Sequence, residues 1–331
     1  MKIVVTGATS NVGAEVAVTL AARGHEVIAV ALPGFAQDHL DRARIPLVLA
    51  DILDGEAMAR ACDGASAIVH CAACIDFTAR GRERSFRVNV EGNRVLARAA
   101  RRAGLARFVH MSSAGVYGIL TGGERVDEQT PTRATGHAYN DSKRDGEAAL
   151  LDEAGPLAVT ILRLTGVYGG FDRINIPATA QALRRRIYVY FGDPEKRHNL
   201  AGTRFVATAV SRFLEEKSPR AAVETFLVNE GDPPTYRTFV QTIADELALP
   251  RPRLALPAIG ARALGKLFDG LDRLHVRPKL ALPTALAENA IVDAFFDGSA
   301  LRVRLDLAKV DPDTGIRAAV RALRANGRLG F

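Results

Sequence analysis

The stretch Gly7-Ala8-Thr9-Ser10-Asn11-Val12-Gly13 decides the fold, because it joins a strand to a helix through a glycine-rich turn. The apolar, β-branched run from Lys2 to Thr6 before it is typical of a fully buried strand. A helix pattern follows as far as Arg23, and residues 26–31 form a second short apolar run. A strand, a glycine turn, a helix and a strand within roughly 30 residues predict the βαβ unit that binds a dinucleotide pyrophosphate.

The glycine turn has the residues that such a ligand requires. Gly7 allows a tight turn and Gly13 allows the helix to pack closely on the strands, so that the helix N-terminus faces the phosphates. We therefore expect a dinucleotide cofactor to contact Gly7, Thr9, Ser10, Asn11, Val12 and Gly13.

The tip of the second strand bears on the choice between NAD and NADP. An acidic residue there would bind the ribose hydroxyls of NAD, but the sequence has Ala31-Leu32-Pro33. Because no carboxylate repels a 2′-phosphate, NADP is allowed and slightly favoured, while NAD is not excluded. Arg42 and Arg44 are close enough in sequence to reach a phosphate, although both would equally suit the surface.

Strands continue to alternate with helices through the first half of the chain. Four further runs have the composition of buried strands: residues 45–50, 67–71, 107–111 and 157–164. This alternation predicts an α/β fold, a Rossmann-type doubly wound parallel sheet covered by helices on both faces. We expect residues 1–170 to form this domain and residues 171–331 to form mostly a smaller substrate-binding domain. A helix near residues 203–215 is expected to return to the sheet.

A second informative stretch is Tyr139-Asn140-Asp141-Ser142-Lys143, in which Tyr139 and Lys143 share one face of a predicted helix. The unperturbed pKa of a phenol is roughly 10, and a nearby ammonium group favours the phenolate and lowers that pKa. Such a pair can exchange a proton with an alcohol oxygen. Ser113 lies just beyond the strand that ends at Met111. It is therefore expected at the same edge of the sheet as the glycine turn and Tyr139.

The composition excludes several classes of protein. The 331 residues have a formal net charge of +7, but basic and acidic residues are mixed, and no run typical of nucleic-acid binding occurs. The three cysteines Cys62, Cys71 and Cys74 indicate a reducing compartment such as the cytoplasm, and no metal site accompanies them. We expect no signal peptide, because Met1 leads directly into a strand. No uncharged run approaches the ~20 residues that span a bilayer.

Together these stretches resemble the extended short-chain dehydrogenase/reductase superfamily, of the NAD-dependent epimerase/dehydratase type. The resembling stretches are residues 6–13, 50–52, 70–73, 89–92, 108–118, 139–143 and 162–169. The resemblance implies an NAD(P)-dependent enzyme in which Ser113 is the catalytic serine and Tyr139 the acid/base. Lys143 would lower the pKa of Tyr139 and hold the nicotinamide ribose, and Asn89 would support the proton relay. Further cofactor contacts are implied at Asp51, Ile52, Ala72 and Ala73.

Three positions depart from the family pattern. Ser10 stands where a second glycine is usual, and Leu164 stands where a proline often follows the strand arginine. In the second half, Thr203-Arg204-Phe205 replaces the usual Val-Asp-Asp or Val-Asp-Asn. Because those family acids orient a later helix, we expect the substrate domain to pack differently here.

The second half also indicates the substrate class. Enzymes of nucleotide sugars often have a diphosphate-binding arginine where this chain has His198, and an asparagine where it has Gly166. Residues 86–92 and 252–283 look more like the branch of 3β-hydroxysteroid dehydrogenases and dihydroflavonol reductases. We therefore expect the interconversion of a secondary alcohol and a ketone on a fairly apolar small molecule. Besides Ser113, the residues expected to line its pocket are Ile75, Phe77, Val116, Ile174 and Tyr188.

Two other functions stay open. A nucleotide-sugar epimerase or dehydratase would use the same tyrosine and serine, and one of several arginines could turn inward towards its diphosphate. These arginines are Arg173, Arg184, Arg185 and Arg186. A cofactor-binding regulator without turnover is the third reading.

The last expectations concern assembly and surface. The family often dimerises through the helices that correspond to residues 88–102 and 139–154, so we expect a homodimer. The amphipathic stretch 257–274 is expected to pack on the core, although it could also line an apolar pocket or touch a membrane surface. Its apolar residues are Ile259, Leu264, Leu267 and Leu271.

Overall fold

The structure is a computed structural model that describes residues 1–76, 78–118, 120, 123–273 and 293–329. The strands are β1 (Lys2–Thr6), β2 (Glu26–Ala31), β3 (Leu47–Leu49), β4 (Ala67–His70), β5 (Arg107–Ser113), β6 (Arg125–Val126), β7 (Ala158–Leu164), β8 (Gly166–Tyr168), β9 (Tyr190–Phe191), β10 (Leu200–Gly202), β11 (Val223–Val228), β12 (Ala255–Leu256) and β13 (Phe295–Phe296). The helices are α1 (Asn11–Ala22), α2 (Asp38–Arg42), α3 (Gly55–Cys62), α4 (Arg82–Phe86), α5 (Gly92–Arg102), α6 (Ala138–Ala154), α7 (Asn175–Arg184), α8 (Thr203–Glu215), α9 (Tyr236–Glu246), α10 (Ala258–Arg273), α11 (Ser299–Leu305) and α12 (Pro312–Ala325).

Seven strands form one parallel sheet in the order β11-β7-β5-β4-β1-β2-β3. The strand order reverses between β1 and β4, so the loops after these strands diverge and leave a crevice at the carboxyl edge. The predicted Rossmann-type sheet is confirmed. Its crevice opens beside the glycine turn that follows β1.

Helices cover both faces of the sheet. Residues of α1, α8 and α11 form one apolar layer with the strands. Residues of α3, α5 and α6 form the layer on the opposite face. A third apolar cluster joins α7, α9 and α12 and lies outside the sheet.

Helix α8 packs against α1 through residues that replace the family's acids. Thr203 Oγ1 donates to Glu15 Oε2 at 3.2 Å, and Arg204 Nε lies 3.8 Å from Glu15 Oε1. The carboxylate therefore comes from α1 and the partners from α8. These polar contacts stand beside the apolar layer in which α8 packs with α1 on the sheet.

Two predicted positions differ from the structure. The helix expected to open at Val88 begins earlier, at Arg82, and passes through a π-helical turn, Arg87–Glu91, before α5. Ser113 is the last residue of β5 rather than a residue beyond it, because its backbone pairs with Leu164 of β7.

The expectation that the stripe on α10 packs on the core is wrong for two of its residues. Ile259 and Leu267 are 79% and 57% exposed. The helix is buried instead along its small residues Ala261 and Gly265, which stand four positions apart and allow close approach of its backbone. Within the described residues, no helix is both long and apolar enough to cross a membrane.

Candidate active site

The glycine turn is shaped by its two glycines. Gly7 has a φ of +65°, and a Cβ atom added to it would lie 2.5 Å from the backbone nitrogen of Ala72. A Cβ atom on Gly13 would lie 2.2 Å from the carbonyl oxygen of Gly7. The turn therefore brings the start of α1 against both β1 and the segment after β4, as predicted from the sequence.

The residue that departs from the glycine pattern has a local role. Ser10 is the N-cap of α1, and its hydroxyl oxygen accepts a hydrogen bond from the backbone of Gly13 at 3.1 Å. Next to it, the side-chain oxygen Oδ1 of Asn11 is buried without a hydrogen-bond partner among the described residues. A ribose hydroxyl would satisfy this oxygen, so the turn fits a dinucleotide.

The other predicted cofactor residues line the neighbouring strand ends. Ala72 and Ala73 follow β4 directly, and Ala73 is exposed. The side chain of Asp51 is exposed after β3 and accepts a hydrogen bond from the backbone of Leu53 at 3.0 Å. Ile52 is buried against Gly92. All of these residues occupy the carboxyl edge of the sheet.

Ser113 and Tyr139 meet at this edge, since β5 ends at Ser113 and α6 begins next to Tyr139. Their side chains share a hydrogen bond. The hydroxyl of Ser113 also accepts from the backbone of Gly115 at 3.1 Å, which fixes its direction. The surrounding protein raises the pKa of Tyr139, and the hydrogen bond with Ser113 only partly opposes this shift. Tyr139 is thus a protonated phenol at neutral pH.

Lys143 is buried one turn beyond Tyr139 on α6. Its side chain is 2% exposed, and Nζ donates to the carbonyl oxygen of Met111 at 2.6 Å. Burial lowers the pKa of Lys143 to about 8, while the nearby Glu147 carboxylate opposes the shift. Burial of the phenol dominates the pKa of Tyr139, and the hydrogen bond with Ser113 is what opposes it, so the lowering of this pKa by Lys143 stays a prediction.

Glu147 belongs to a buried network that the sequence reasoning missed. It accepts from Ser112 Oγ at 2.5 Å and from Arg163 Nη2 at 2.7 Å. Arg163 Nη1 also donates to the hydroxyl of Tyr117 at 3.2 Å. This network ties α6 to β5 and β7 directly below the serine. One sequence pattern could have indicated that Glu147 lies near the site, because Tyr139, Lys143 and Glu147 recur every four residues on one helix face.

Asn89 connects the segment after β4 to α6. Its amide oxygen accepts from the backbone of Cys74 at 2.8 Å, and its amide nitrogen donates to Ser142 Oγ at 2.9 Å. Ser142 Oγ in turn donates to the carbonyl oxygen of Tyr139. Asn89 therefore positions the helix turn that carries Tyr139.

The residues predicted to line a substrate pocket are not brought together as one wall. Val116 is fully buried in a cluster with Tyr117, and the hydroxyl of Tyr188 donates to that of Tyr236 at 2.7 Å. Ile75 and Ile174 are 60% and 66% exposed on separate loops. Phe77 lies outside the described residues.

His198 stands where enzymes of nucleotide sugars often have a diphosphate-binding arginine, and its imidazole is neutral. His198 packs between the rings of Tyr236 and Phe239, with centroids 5.2 and 4.7 Å away. Burial lowers the pKa of His198 to about 4, and the adjacent Lys196 lowers it further. The neighbouring Arg197 is already paired with Asp293 at 3.0 Å.

Comparisons with known proteins show the family of the chain. The model of the family described as "NAD dependent epimerase/dehydratase family" matches residues 3–228. A 3 beta-hydroxysteroid dehydrogenase/Delta 5-->4-isomerase of Mycobacterium tuberculosis is 28% identical over 329 residues, covering 92% of this chain and 85% of the relative. Sterol demethylase protein B of Methylococcus capsulatus is 30% identical over 280 residues, covering 82% and 83%.

The fold is also that of known structures. A UDP-glucose 4-epimerase from Thermotoga maritima, solved with UDP-glucose, superimposes with a TM-score of 0.77 at 21% identity. The match covers 98% of this chain and 99% of the epimerase. The chain therefore belongs to the NAD-dependent epimerase/dehydratase family and is an NAD(P)-dependent enzyme of the extended short-chain dehydrogenase/reductase type.

Proposed function

We propose that the protein interconverts a secondary alcohol and the corresponding ketone on a fairly apolar molecule. The observation that carries this proposal is the hydrogen-bonded pair of Ser113 and Tyr139 at the edge of the sheet that holds the glycine turn. The pair offers a fixed hydroxyl and a protonated phenol to one substrate oxygen. This is the arrangement that proton transfer to or from an alcohol requires.

The roles of the residues follow from their environments. A bound nicotinamide cofactor supplies or accepts the hydride. In the reducing direction, Ser113 Oγ donates a hydrogen bond to the ketone oxygen, and Tyr139 transfers its phenolic proton to that oxygen as the alcohol forms. In the oxidising direction the phenolate takes the proton back. Lys143 lies one turn further along α6, where its ammonium group would favour that phenolate.

The charges near the candidate substrate position favour an apolar molecule. A nucleotide diphosphate brings about two negative charges, which a site meets with positioned arginines. Here His198 is neutral and Arg197 is neutralised by Asp293. The relatives named as hydroxysteroid dehydrogenase and sterol demethylase protein are consistent with this choice. We therefore propose 3β-hydroxysteroids and similar alcohols as the first substrates to test.

Turnover of purified protein tests the proposal. Hydroxysteroids and simpler apolar alcohols are supplied with NAD or NADP, and formation of the reduced cofactor is followed by absorbance. Tyr139→Phe should lose about 100- to 10,000-fold in rate, because general acid–base catalysis contributes that much. Tyr190→Phe is the matched control, since it removes a buried hydroxyl that has no hydrogen-bond partner among the described residues.

The same experiment also tests the alternative function, a nucleotide-sugar epimerase or dehydratase. UDP-glucose and related nucleotide sugars are supplied in parallel. Their conversion by wild-type protein, without turnover of any apolar alcohol, would replace this proposal with an epimerase or dehydratase. A Tyr139→Phe enzyme that keeps more than half of the wild-type rate would refute the role of Tyr139.

We also propose that residues 171–331 mostly form the substrate-binding part. The separate apolar cluster of α7, α9 and α12 supports this division. Helix α8 and strand β11 are the exceptions, because they complete the sheet and its apolar layer.

A further inference from the structure

Residues 133–137, which we call the wall segment, border the pair of Ser113 and Tyr139. At one end of the segment, the backbone nitrogen of Arg133 donates to the carbonyl oxygen of Val116 at 2.9 Å, in the turn that follows β5. At the other end, the segment leads directly into α6 next to Tyr139. Since both ends are fixed beside the pair, the wall segment lies along the space where a substrate oxygen would meet the two hydroxyls.

The carboxylate of Asp141, which is 5% exposed, holds the wall segment in place. Its Oδ1 atom accepts from the backbone nitrogen of Thr135 at 2.7 Å and from the hydroxyl of Thr135 at 3.0 Å. Its Oδ2 atom accepts from the backbone nitrogen of Gly136 at 3.0 Å. Gly136 has a φ of +78°, a left-handed conformation that glycine adopts without strain and that lets the chain turn here. Because hydrogen bonds to an ionised acceptor are stronger than neutral ones, these three bonds order the segment.

The helix turn that carries Tyr139 is anchored independently of this carboxylate. A Cβ atom on Gly115 would lie 2.3 Å from Asn140 Oδ1, so Asn140 packs against the backbone of the turn after β5. On the other side, Ser142 Oγ accepts from the amide nitrogen of Asn89 at 2.9 Å. Loss of the carboxylate should therefore free the wall segment while Tyr139 keeps its place.

We propose that Asp141 is a positioning residue, which holds the wall segment against the body of an apolar substrate and so makes this segment select the substrate. The inference rests on the proposed function and names a part of its pocket. Arg133 and Ala134 are exposed, and they offer the aliphatic stem of one side chain and the methyl group of the other to such a molecule. None of the residues that the sequence predicted to line the pocket belongs to the wall segment.

Two variants release the wall segment from opposite sides. Asp141→Ala removes all three bonds of the carboxylate, and Thr135→Val removes the hydroxyl partner without changing α6. Asp145→Ala is the matched control, because Asp145 lies one turn further along α6 and its carboxylate pairs with the adjacent Arg144. Each protein is assayed with a 3β-hydroxysteroid at saturating cofactor to give kcat and KM. Hydrogen exchange of the backbone amides of residues 133–137 is measured in the same proteins.

We expect the KM for the hydroxysteroid to rise about ten-fold or more in Asp141→Ala, because a single hydrogen bond to a charged acceptor is worth about this factor. The kcat should stay within about three-fold of the wild type, since the lost contact binds the substrate and its transition state alike. The amides of Thr135 and Gly136 should exchange faster. Thr135→Val should change both measurements in the same direction by less, and Asp145→Ala should resemble the wild type.

Unchanged exchange at Thr135 and Gly136 in Asp141→Ala would overturn the role of the carboxylate. Faster exchange with an unchanged KM would overturn the contact between the wall segment and the substrate. A fall in kcat at constant KM would also overturn it, and would assign Asp141 to the placement of Tyr139 instead. If the wild-type protein turned over no apolar alcohol, the proposed function itself would fail and the selection of substrate with it, while the exchange rates would still test whether Asp141 holds the segment.

Discussion

At the scale of single residues, the candidate active site contains groups whose charge states depend on burial. Lys143 is a buried cation that keeps its proton because Glu147 lies one turn away, while Arg163 neutralises the same carboxylate from below. His110 Nε2 lies 3.5 Å from Lys143 Nζ, and burial keeps the pKa of His110 well below its usual value. Lys143 is therefore the charged group of this pair at neutral pH.

Replacing Glu147 tests how its carboxylate stabilises the charges of Lys143 and Arg163. Glu147→Gln leaves Arg163 buried without its carboxylate, and breaking a buried pair costs about 3–5 kcal/mol of unfolding free energy. The same change removes the charge that raises the pKa of Lys143, so this pKa should fall below about 8. Denaturant unfolding measures the first effect, and the pH dependence of cofactor binding measures the second.

Glu56→Gln is the control for this prediction, because Glu56 lies on the surface and its side chain is 93% exposed. It should leave both measurements unchanged. Wild-type stability in Glu147→Gln would show that the network does not hold α6 on the sheet.

Among the elements, α6 is positioned by close backbone approach as well as by side chains. A Cβ atom on Gly146 would lie 2.4 Å from the carbonyl oxygen of Asn89, inside the π-helical turn. Asn93 Nδ2 bridges the same two backbones by donating to the carbonyl oxygens of Asn89 and Gly146, each at 2.9 Å. The π-helical turn thus places Asn89 and α6 in a fixed relation.

Gly146→Ala should disturb this contact. Because the obstacle is backbone, the helices must separate, and we expect a loss of about 1–3 kcal/mol in unfolding free energy together with weaker turnover. Gly55→Ala at the start of α3 is the matched control, since its new methyl would meet only Val95 at an ordinary 3.8 Å. There the better helix propensity of alanine should leave stability equal or slightly higher. Equal stability of the two variants would contradict the packing argument.

In the molecule as a whole, one buried carboxyl links the sheet to the second half of the chain. Glu230 follows β11, accepts from the hydroxyl of Tyr168 at 2.6 Å and accepts from the backbone of Gly202 at 2.8 Å. Burial raises the pKa of Glu230 from 4.5 to about 7. Between pH 4.5 and about pH 7, Glu230 is therefore protonated in the folded protein and ionised in the unfolded chain.

The consequence is a loss of stability with rising pH. Below about pH 4.5 the contribution of protonated Glu230 is fully present, and it falls away as the pH rises through about 7, by up to ~3 kcal/mol. Glu230→Gln is neutral at every pH and should be more stable than the wild type at pH 8 but not at pH 4. Chemical unfolding at both values measures this. A constant difference between the two proteins would rule out titration of Glu230.

The sequence by itself determined the sheet, its crevice and which residues are candidates for the site. Gly7 and Gly13 meet steric demands that only glycine satisfies, and the spacing of Tyr139 and Lys143 fixes their shared face, so both features are local. The apolar runs located the sheet strands for the same reason, with ends shifted by a few residues at most. The departure at Ser10 was also local, since the serine caps the helix that it begins.

Only the tertiary structure decided the charges and partners around these residues. Burial sets the pKa values of Tyr139 and Lys143, and burial depends on every element that packs on α6. The partnership of Glu147 with Arg163, and the contact of Asn89 with Ser142, join residues far apart in the chain. A pattern in sequence records spacing along the chain, whereas these interactions depend on distances that exist only after the sheet and its two apolar layers have formed.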